Sequence, residues 1–264
     1  MARRNLSTTI LMACAGIALG SFLLAAPSSL FAAGAPPCNL AAASERLLIV
    51  QENVLLPEDQ KAELELAARK DLAGQIAQCS ADEAQWLANS LRSAGEQSQK
   101  MRQLFSRFAR IIESTRDRAR TFEATAKAAT SLEEIRATAK ALKEWRNNRY
   151  LPIRQRAVAL LVWQQNDPLI QTAQDRLAQF RSALEELGIA SHGKAAVAFR
   201  TARENIEEAV RTHLLAKSVL TDTTTLNNPF SFLRTSLQHL QEAYHAFLIL
   251  HQEINKALAH RVAH

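Results

Sequence analysis

Residues 80–129 read SADEAQWLANSLRSAGEQSQKMRQLFSRFARIIESTRDRARTFEATAKAA, and this stretch decides the expected fold. Apolar and small residues recur in it at alternating steps of four and three, which is the heptad pattern of a helix with one buried seam. The seam comprises Leu87, Leu91, Ala94, Ser98, Met101, Phe105, Phe108, Ile112, Thr115, Ala119, Phe122, Ala126 and Ala129. We therefore expect one helical rod from Ser80 to Ala129, about 70 Å long at about 1.5 Å per residue.

Two later regions repeat this heptad pattern. Their seams are Ile170, Ala173, Leu177, Phe180, Leu184 and Leu187, and then Phe230, Leu233, Leu237, Leu240, Tyr244, Phe247, His251, Ile254 and Leu258. Glycine and proline are scarce, with seven of each in 264 residues, and no run alternates as a half-buried strand would. The chain is therefore predicted to be all-α, an elongated antiparallel bundle of about six or seven helices with coiled-coil-like packing.

Capping residues mark where the earlier helices should begin and end. A first helix is expected over 40–55, and Pro57 with two following acids opens a second, which should end near Gln78. Ser80 with Glu83, and Ser131 with Glu134, have the spacing of capping boxes and should open the third and fourth helices.

Proline and glycine mark the boundaries in the second half of the chain. The fourth helix should break into pieces over 132–146 and 152–165, because Pro152 disfavours helical geometry before it. Asp167-Pro168 should open a fifth helix and Gly188 should end it. A sixth is expected over 194–220, and Pro229 opens the last.

The first 34 residues have the order of a secretory signal peptide. Arg3 and Arg4 precede an uncharged apolar run over 8–26, and small residues follow at 32–35. An uncleaved N-terminal anchor and twin-arginine export are the alternatives. The mature protein is expected to be exported, either to a bacterial periplasm or as a secreted protein, and removal of the two arginines lowers its formal charge from +6 to +4.

Two cysteines, Cys38 and Cys79, stay in the mature chain after Cys14 leaves with the leader. The first two helices should form a hairpin that turns at Leu56-Pro57, which brings these cysteines together at its open end and predicts a disulfide. Free thiols are the alternative, and neither Cys14 nor Cys38 has the surroundings of a lipid attachment site. The expected organisation is a leader over 1–34, a disulfide-closed hairpin over 35–79, and a long-helix bundle over 80–264.

The chain contains no motif that names a reaction. There is no Gly-x-Ser-x-Gly elbow, His-Glu-x-x-His, Cys-x-x-Cys or glycine-rich phosphate loop, so catalysis is disfavoured and no cofactor is expected. Glu242 and His245 have the spacing used in di-iron bundles, but no second copy accompanies them. His251 occupies a seam position, which is typical of a hydrogen-bonded core histidine.

Two basic runs, over 100–120 and 140–156, should lie side by side if the chain turns back at Thr130-Ser131, and together they carry a net charge near +10. The candidate residues for binding an anion or a partner are Arg102, Arg107, Arg110, Arg116, Arg146, Arg149 and Arg154. Acidic residues over 45–71 and 204–208 would neutralise this band if they packed against it.

We therefore expect an exported, non-catalytic adaptor or scaffold that binds an envelope or secreted protein. An acidic protein, lipid headgroups or a cell-wall polymer would suit the basic band, and nucleic acid is disfavoured in that compartment. Self-association is compatible with the heptad seams. The alternatives are a sensor-like bundle that binds a small molecule or metal through His239, Tyr244, His245 and His251, and a periplasmic chaperone.

Overall fold

The computed structural model describes residues 37–97, 99–190, 193–222 and 228–262. These residues form helices packed against one another and contain no strand, which confirms the all-α bundle. They fall into two compact units, residues 37–161 and 162–262, which are taken separately below. The expected leader, residues 1–34, lies outside the described part of the chain.

The helices are numbered in chain order. The first unit contains α1 (Ala41–Glu52), α2 (Glu58–Gln97), α3 (Arg102–Ala128), α4 (Leu132–Trp145), a π-helical segment (Arg146–Tyr150) and the start of α5 (Leu151–Leu187). The second unit contains the rest of α5 together with α6 (Gly193–Thr221) and α7 (Pro229–Val262).

Helix α2 is 40 residues long and runs without interruption through the boundary expected at residues 79 and 80. The prediction that Ser80 caps a new helix is wrong. The buried Ser80 hydroxyl instead donates to the Ile76 carbonyl oxygen at 2.9 Å, one turn earlier in the same helix. A serine hydroxyl can make either bond, and the mid-helix form satisfies it inside the core.

The prediction of a single rod from Ser80 to Ala129 is also wrong. The chain reverses at a short 3₁₀ turn, Gln99–Met101, so that α3 packs antiparallel against α2. Arg116 Nη1 donates to Gln85 Oε1 at 2.6 Å, and Lys70 Nζ donates to the Ala129 carbonyl oxygen at 2.8 Å. All the seam positions whose side chains are described are nevertheless buried, because the two halves of the seam face each other.

Helices α1 and α4 also pack on α2. Ser131 caps α4 as predicted, since its Oγ accepts from the Glu134 amide at 3.2 Å, and Ile135 and Leu142 are buried. The Cα atoms of Cys38 and Cys79 lie 5.6 Å apart with their sulfurs bonded, which confirms the expected disulfide. This bond joins the segment before α1 to the middle of α2.

Two of the expected helix boundaries, before Pro152 and at Asp167-Pro168, are absent from the structure. The break expected before Pro152 does not occur, because residues 146–150 form a π-helical segment that joins α4 directly to α5 and Pro152 lies in the first turn of α5. Pro168 lies inside α5 rather than at a helix start, and its carbonyl oxygen accepts from Thr172 Oγ1 at 2.7 Å. Gly188, with φ of 72°, ends α5 as predicted, in a Schellman motif closed by the Ile189 amide.

In the second unit, α5, α6 and α7 share one hydrophobic core. Phe180 of α5 stacks on Phe247 of α7 with ring centroids 5.1 Å apart. The other fully or nearly fully buried members of this core are Ile170, Ala173, Leu184, Leu187, Ala195, Ala198, Ala202, Ile206, Ala209, Leu240, Ala243, Ala246, Leu250 and Ile254. Alanines supply much of the α6 seam, which lets its axis lie close to its neighbours.

The disulfide should contribute strongly to stability. It closes a loop with a sequence separation of 41 residues. Cys38→Ser/Cys79→Ser should lower the free energy of unfolding by up to about 4 kcal/mol on the chain-entropy model. Urea unfolding with and without reductant measures this: the wild type should lose stability on reduction, and the double variant should not respond. Equal midpoints for all samples would contradict the prediction.

Two helical glycines of α2 should respond differently to a methyl group. A Cβ at Gly74 meets nothing within 4 Å, whereas one at Gly95 would lie 3.0 Å from Phe105 Cβ at the reversal. Gly74→Ala should stabilise by up to about 1 kcal/mol through helix propensity. Gly95→Ala should fall short of Gly74→Ala by at least about 1 kcal/mol. Urea unfolding of the matched pair tests this, and equal stabilities would refute the close approach.

Candidate functional site

Among the residues after position 34, the excess of positive charge lies in the first unit. Residues 92–156 contain 16 lysines and arginines against seven acids, whereas residues 162–264 contain ten of each. The candidate site therefore lies on α3, α4, the π-helical segment and the first turns of α5.

The structure gives the seven arginines named above three different environments. Arg102, Arg107 and Arg110 on α3, and Arg149 in the π-helical segment, are exposed, and no ion pair involves them among the described residues. The other three are at least half-buried and are taken in turn below. The seven residues do not form one uniform set.

Arg116 and Arg154 are engaged within the fold. Arg116 Nη2 lies 2.7 Å from Asp117 Oδ1, in addition to its bond with Gln85. Arg154 Nε donates to Glu83 Oε1 at 2.6 Å, and the fully buried Tyr150 hydroxyl donates to Glu83 Oε2 at 2.6 Å. Burial, followed by the neighbouring Glu83 carboxylate, raises the pKa of Tyr150 well above its usual range, so this phenol remains a donor.

Arg146 borders a pocket of about 280 Å³ between α1, α2 and α4. The pocket is lined by Leu47, Arg69, Leu72, Ala73, Ile76, Ala139, Leu142, Lys143, Arg146 and Asn147. The Arg146 Nε is buried and has no hydrogen-bond partner among the described residues. Because this atom is closed off from solvent, a ligand in the pocket would meet the terminal nitrogens of the Arg146 guanidinium rather than its Nε.

The other two cations of the pocket differ in their pairing. Arg69 Nε lies 2.6 Å from Glu65 Oε1, and Arg136 reaches the same oxygen at 3.0 Å. The hydrogen bond from Arg69, with that from Arg136, holds the pKa of Glu65 below its usual value. Lys143 is exposed and makes no ion pair within the described part of the chain. Lys143 and Arg146 therefore remain as the uncompensated charges at the pocket.

The second unit contains a buried polar cluster that the sequence analysis missed. Asn166 Nδ2 donates to Ser236 Oγ at 2.9 Å, and Ser236 Oγ donates to the Ala209 carbonyl oxygen at 2.9 Å. His213 stacks on Trp163 with ring centroids 4.8 Å apart, and Trp163 Nε1 donates to the His213 carbonyl oxygen at 3.2 Å. A signal was present, since His213 falls on the same helical face as the alanine seam of α6.

Burial dominates the titration of His213. It lowers the pKa, although Asp167, whose Oδ1 lies 3.3 Å from His213 Nε2, opposes this shift, and Lys217 reinforces it. Among the described residues no hydrogen bond of good geometry reaches the Nε2 atom, although the Asp167 carboxylate lies beside it. The structure therefore favours the neutral imidazole.

The histidines of α7 do not converge. His239 Nδ1 lies 2.8 Å from Asn205 Oδ1, His245 is exposed, and the half-buried His251 contacts Asn255 through Nε2 at 3.1 Å. Among the described residues no three His, Cys, Asp or Glu side chains cluster to hold a metal. Within the same residues, no helix has the length and apolar character needed to cross a membrane. Residues 223–227 of the polar loop before Pro229 lie outside the described part.

No protein-family model, curated protein sequence or solved structure matches this chain.

The second unit should lose stability on acidification. Because the pKa of folded His213 lies below its unfolded value of 6.5, the unfolded chain binds more protons at mildly acidic pH. The free energy of unfolding should therefore fall as the pH drops below about 6.5. Urea unfolding of a Trp86→Phe/Trp145→Phe background measures this, because Trp163 is then the one tryptophan whose fluorescence reports on unfolding. His213→Gln should reduce the pH dependence, and His245→Gln should not. An unchanged slope in His213→Gln would rule the mechanism out.

Proposed function

We propose that the mature chain is a non-catalytic binding protein of the bacterial envelope, an adaptor or scaffold component that binds an acidic protein through the exposed arginines of its first unit. The observation that carries this proposal is the set of four exposed arginines, Arg102, Arg107, Arg110 and Arg149, without an ion pair among the described residues. Arginine forms bidentate bonds with carboxylates and is enriched in the cores of protein interfaces.

The alternative was that acidic residues over 45–71 and 204–208 neutralise the basic band. The contacts of these acids argue against it, because Asp71 pairs with Arg46 at 2.7 Å and Glu65 pairs with Arg69 and Arg136. In the second range, Glu207 pairs with Arg203 and Glu208 pairs with Arg211, all within α6. None of these cations is among the four arginines of the proposal, Arg102, Arg107, Arg110 and Arg149. The exposed arginines therefore keep their field directed toward solvent, where it can accelerate the encounter with an acidic partner.

Export to an oxidising compartment is part of the proposal. The order of charge, apolar run and small residues over 1–34 supports it, and so does the Cys38–Cys79 disulfide, since such bonds persist in secreted and periplasmic proteins. Lipid headgroups and cell-wall polymers would present negative charge to the same arginines. The experiment below separates these occupants.

Charge reversal tests the proposal directly. Arg107→Glu/Arg110→Glu should weaken partner binding by at least about tenfold, equivalent to about 1.4 kcal/mol, and should therefore lower the amount of partner protein recovered after crosslinking in the host envelope. Arg200→Glu/Arg234→Glu is the matched control, because both arginines are exposed in the second unit without an ion pair among the described residues. Recovery is quantified by mass spectrometry of the crosslinked species.

Equal recovery with both double variants would contradict a role for α3. Vesicles of anionic and of zwitterionic phospholipid, and purified cell-wall polymer, serve as competing probes. Binding to one of these probes that Arg107→Glu/Arg110→Glu abolishes, with no protein crosslink affected, would replace the acidic protein by that polymer or membrane.

A further inference from the structure

We infer that the pocket between α1, α2 and α4 binds a small single-chain carboxylate, with the aliphatic tail on the apolar floor and the carboxylate at Arg146 and Lys143. This inference concerns a different surface from the exposed arginines of α3, and it does not depend on the proposed function. Three features of the pocket carry it: the composition of the floor, the unpaired cations, and the fixed position of Arg146.

The floor of the pocket is apolar. It is made by Leu47, Leu72, Ala73, Ile76, Ala139 and Leu142. An exposed apolar concavity favours an occupant that removes its own apolar surface from water. The volume of about 280 Å³ lies just below the range of about 300–1,000 Å³ that is common for ligand pockets. A short aliphatic chain suits this volume better than a long acyl chain or a large ring system.

The charges at the pocket select an anion. None of the lining residues is acidic, and the one lining cation with a carboxylate partner is Arg69, which pairs with Glu65. Lys143 and Arg146 have no such partner among the described residues, and the Arg146 Nε is a buried donor without an acceptor. A carboxylate would accept from the two terminal nitrogens of Arg146, in the bidentate arrangement that arginine favours, and from Lys143 Nζ.

The local structure holds Arg146 in place. Arg146 begins the π-helical segment. In sequence it falls between Trp145 and Tyr150, whose rings stack on each other with centroids 5.5 Å apart. Tyr150 is in turn fixed by its 2.6 Å hydrogen bond to Glu83. The buried Nε places the stem of the Arg146 side chain against the protein, so this side chain loses less freedom when a ligand binds than a fully exposed arginine would.

The disulfide completes the pocket. Leu47 is the one lining residue from α1, and α1 packs on α2 next to the Cys38–Cys79 bond. Breaking this bond should release α1 and open one side of the apolar floor. Ligand affinity should therefore depend on the oxidation state of the two cysteines.

Calorimetric titration with decanoate, below its micelle concentration, tests the inference. We expect one decanoate per chain, at least about tenfold weaker binding of decanol and of decyltrimethylammonium, and a comparable loss for decanoate in Lys143→Gln/Arg146→Gln. Arg120→Gln/Lys140→Gln is the matched control, since both side chains are exposed and outside the pocket lining. It should bind decanoate within about twofold of the wild type.

A second variant tests the floor without changing any charge. Ala139→Leu should fill the pocket and abolish decanoate binding, while the melting temperature shows whether the fold is kept. Cys38→Ser/Cys79→Ser should bind more weakly than the wild type. Arg107→Glu/Arg110→Glu should still bind decanoate, so the inference and the proposed function fail separately.

Three results would overturn the inference. The first is equal binding of decanoate, decanol and decyltrimethylammonium to the wild type, which would show non-specific apolar association. The second is an equal loss in the pocket variant and its matched control. The third is decanoate binding that survives in a folded Ala139→Leu. The comparison of the three ligands needs no variant, so it decides the matter even if a variant fails to fold.

Discussion

Close approach of neighbouring helices to α2 is the constraint on which the first unit depends. The buried face of α2 is largely a run of alanines, Ala73, Ala77, Ala81, Ala84 and Ala88. These side chains are too small to form a core among themselves, so the bulk comes from the helices around them, such as Phe122 and Leu142 beside Ala77. The small side chains of this face therefore let α1, α3 and α4 pack close to one backbone, and residues of α1, α2 and α4 line the pocket.

Heptad spacing predicted which side chains are buried better than it predicted where the chain turns. The seam continues in phase through the reversal near Gly95, so its periodicity carried no sign of the break. A straight rod would have left one buried face to be covered by another element. Folding back lets Leu87 and Ile112 lie on facing helices, and the polar stretch over 95–100 is the local feature that permits it.

Capping motifs were ambiguous because the same motif can also lie inside a helix. Ser131 and Ser80 begin the same motif, but only Ser131 follows a chain reversal, whereas Ser80 is buried inside a helix that neighbouring helices stabilise. The sequence predicted where positive charge is concentrated along the chain. It did not predict which acidic residue pairs with each cation. Glu83 pairs with Arg154, 71 residues away, so its partner depends on the packing of α5 against α2. The pocket and the His213 cluster likewise exist only after the helices pack.

The Asn166–Ser236 hydrogen bond has a consequence for how the second unit selects one alignment of its helices. A heptad seam repeats itself, so sliding α7 by seven residues against its neighbours would keep most apolar contacts. Such a slip would replace Ser236 by Pro229 or Ala243, and neither side chain can accept a hydrogen bond from Asn166. The slipped arrangement would leave a polar amide stranded in the core. A single buried serine thus favours the native register of α7 over registers shifted by seven residues, which would bury similar apolar surface.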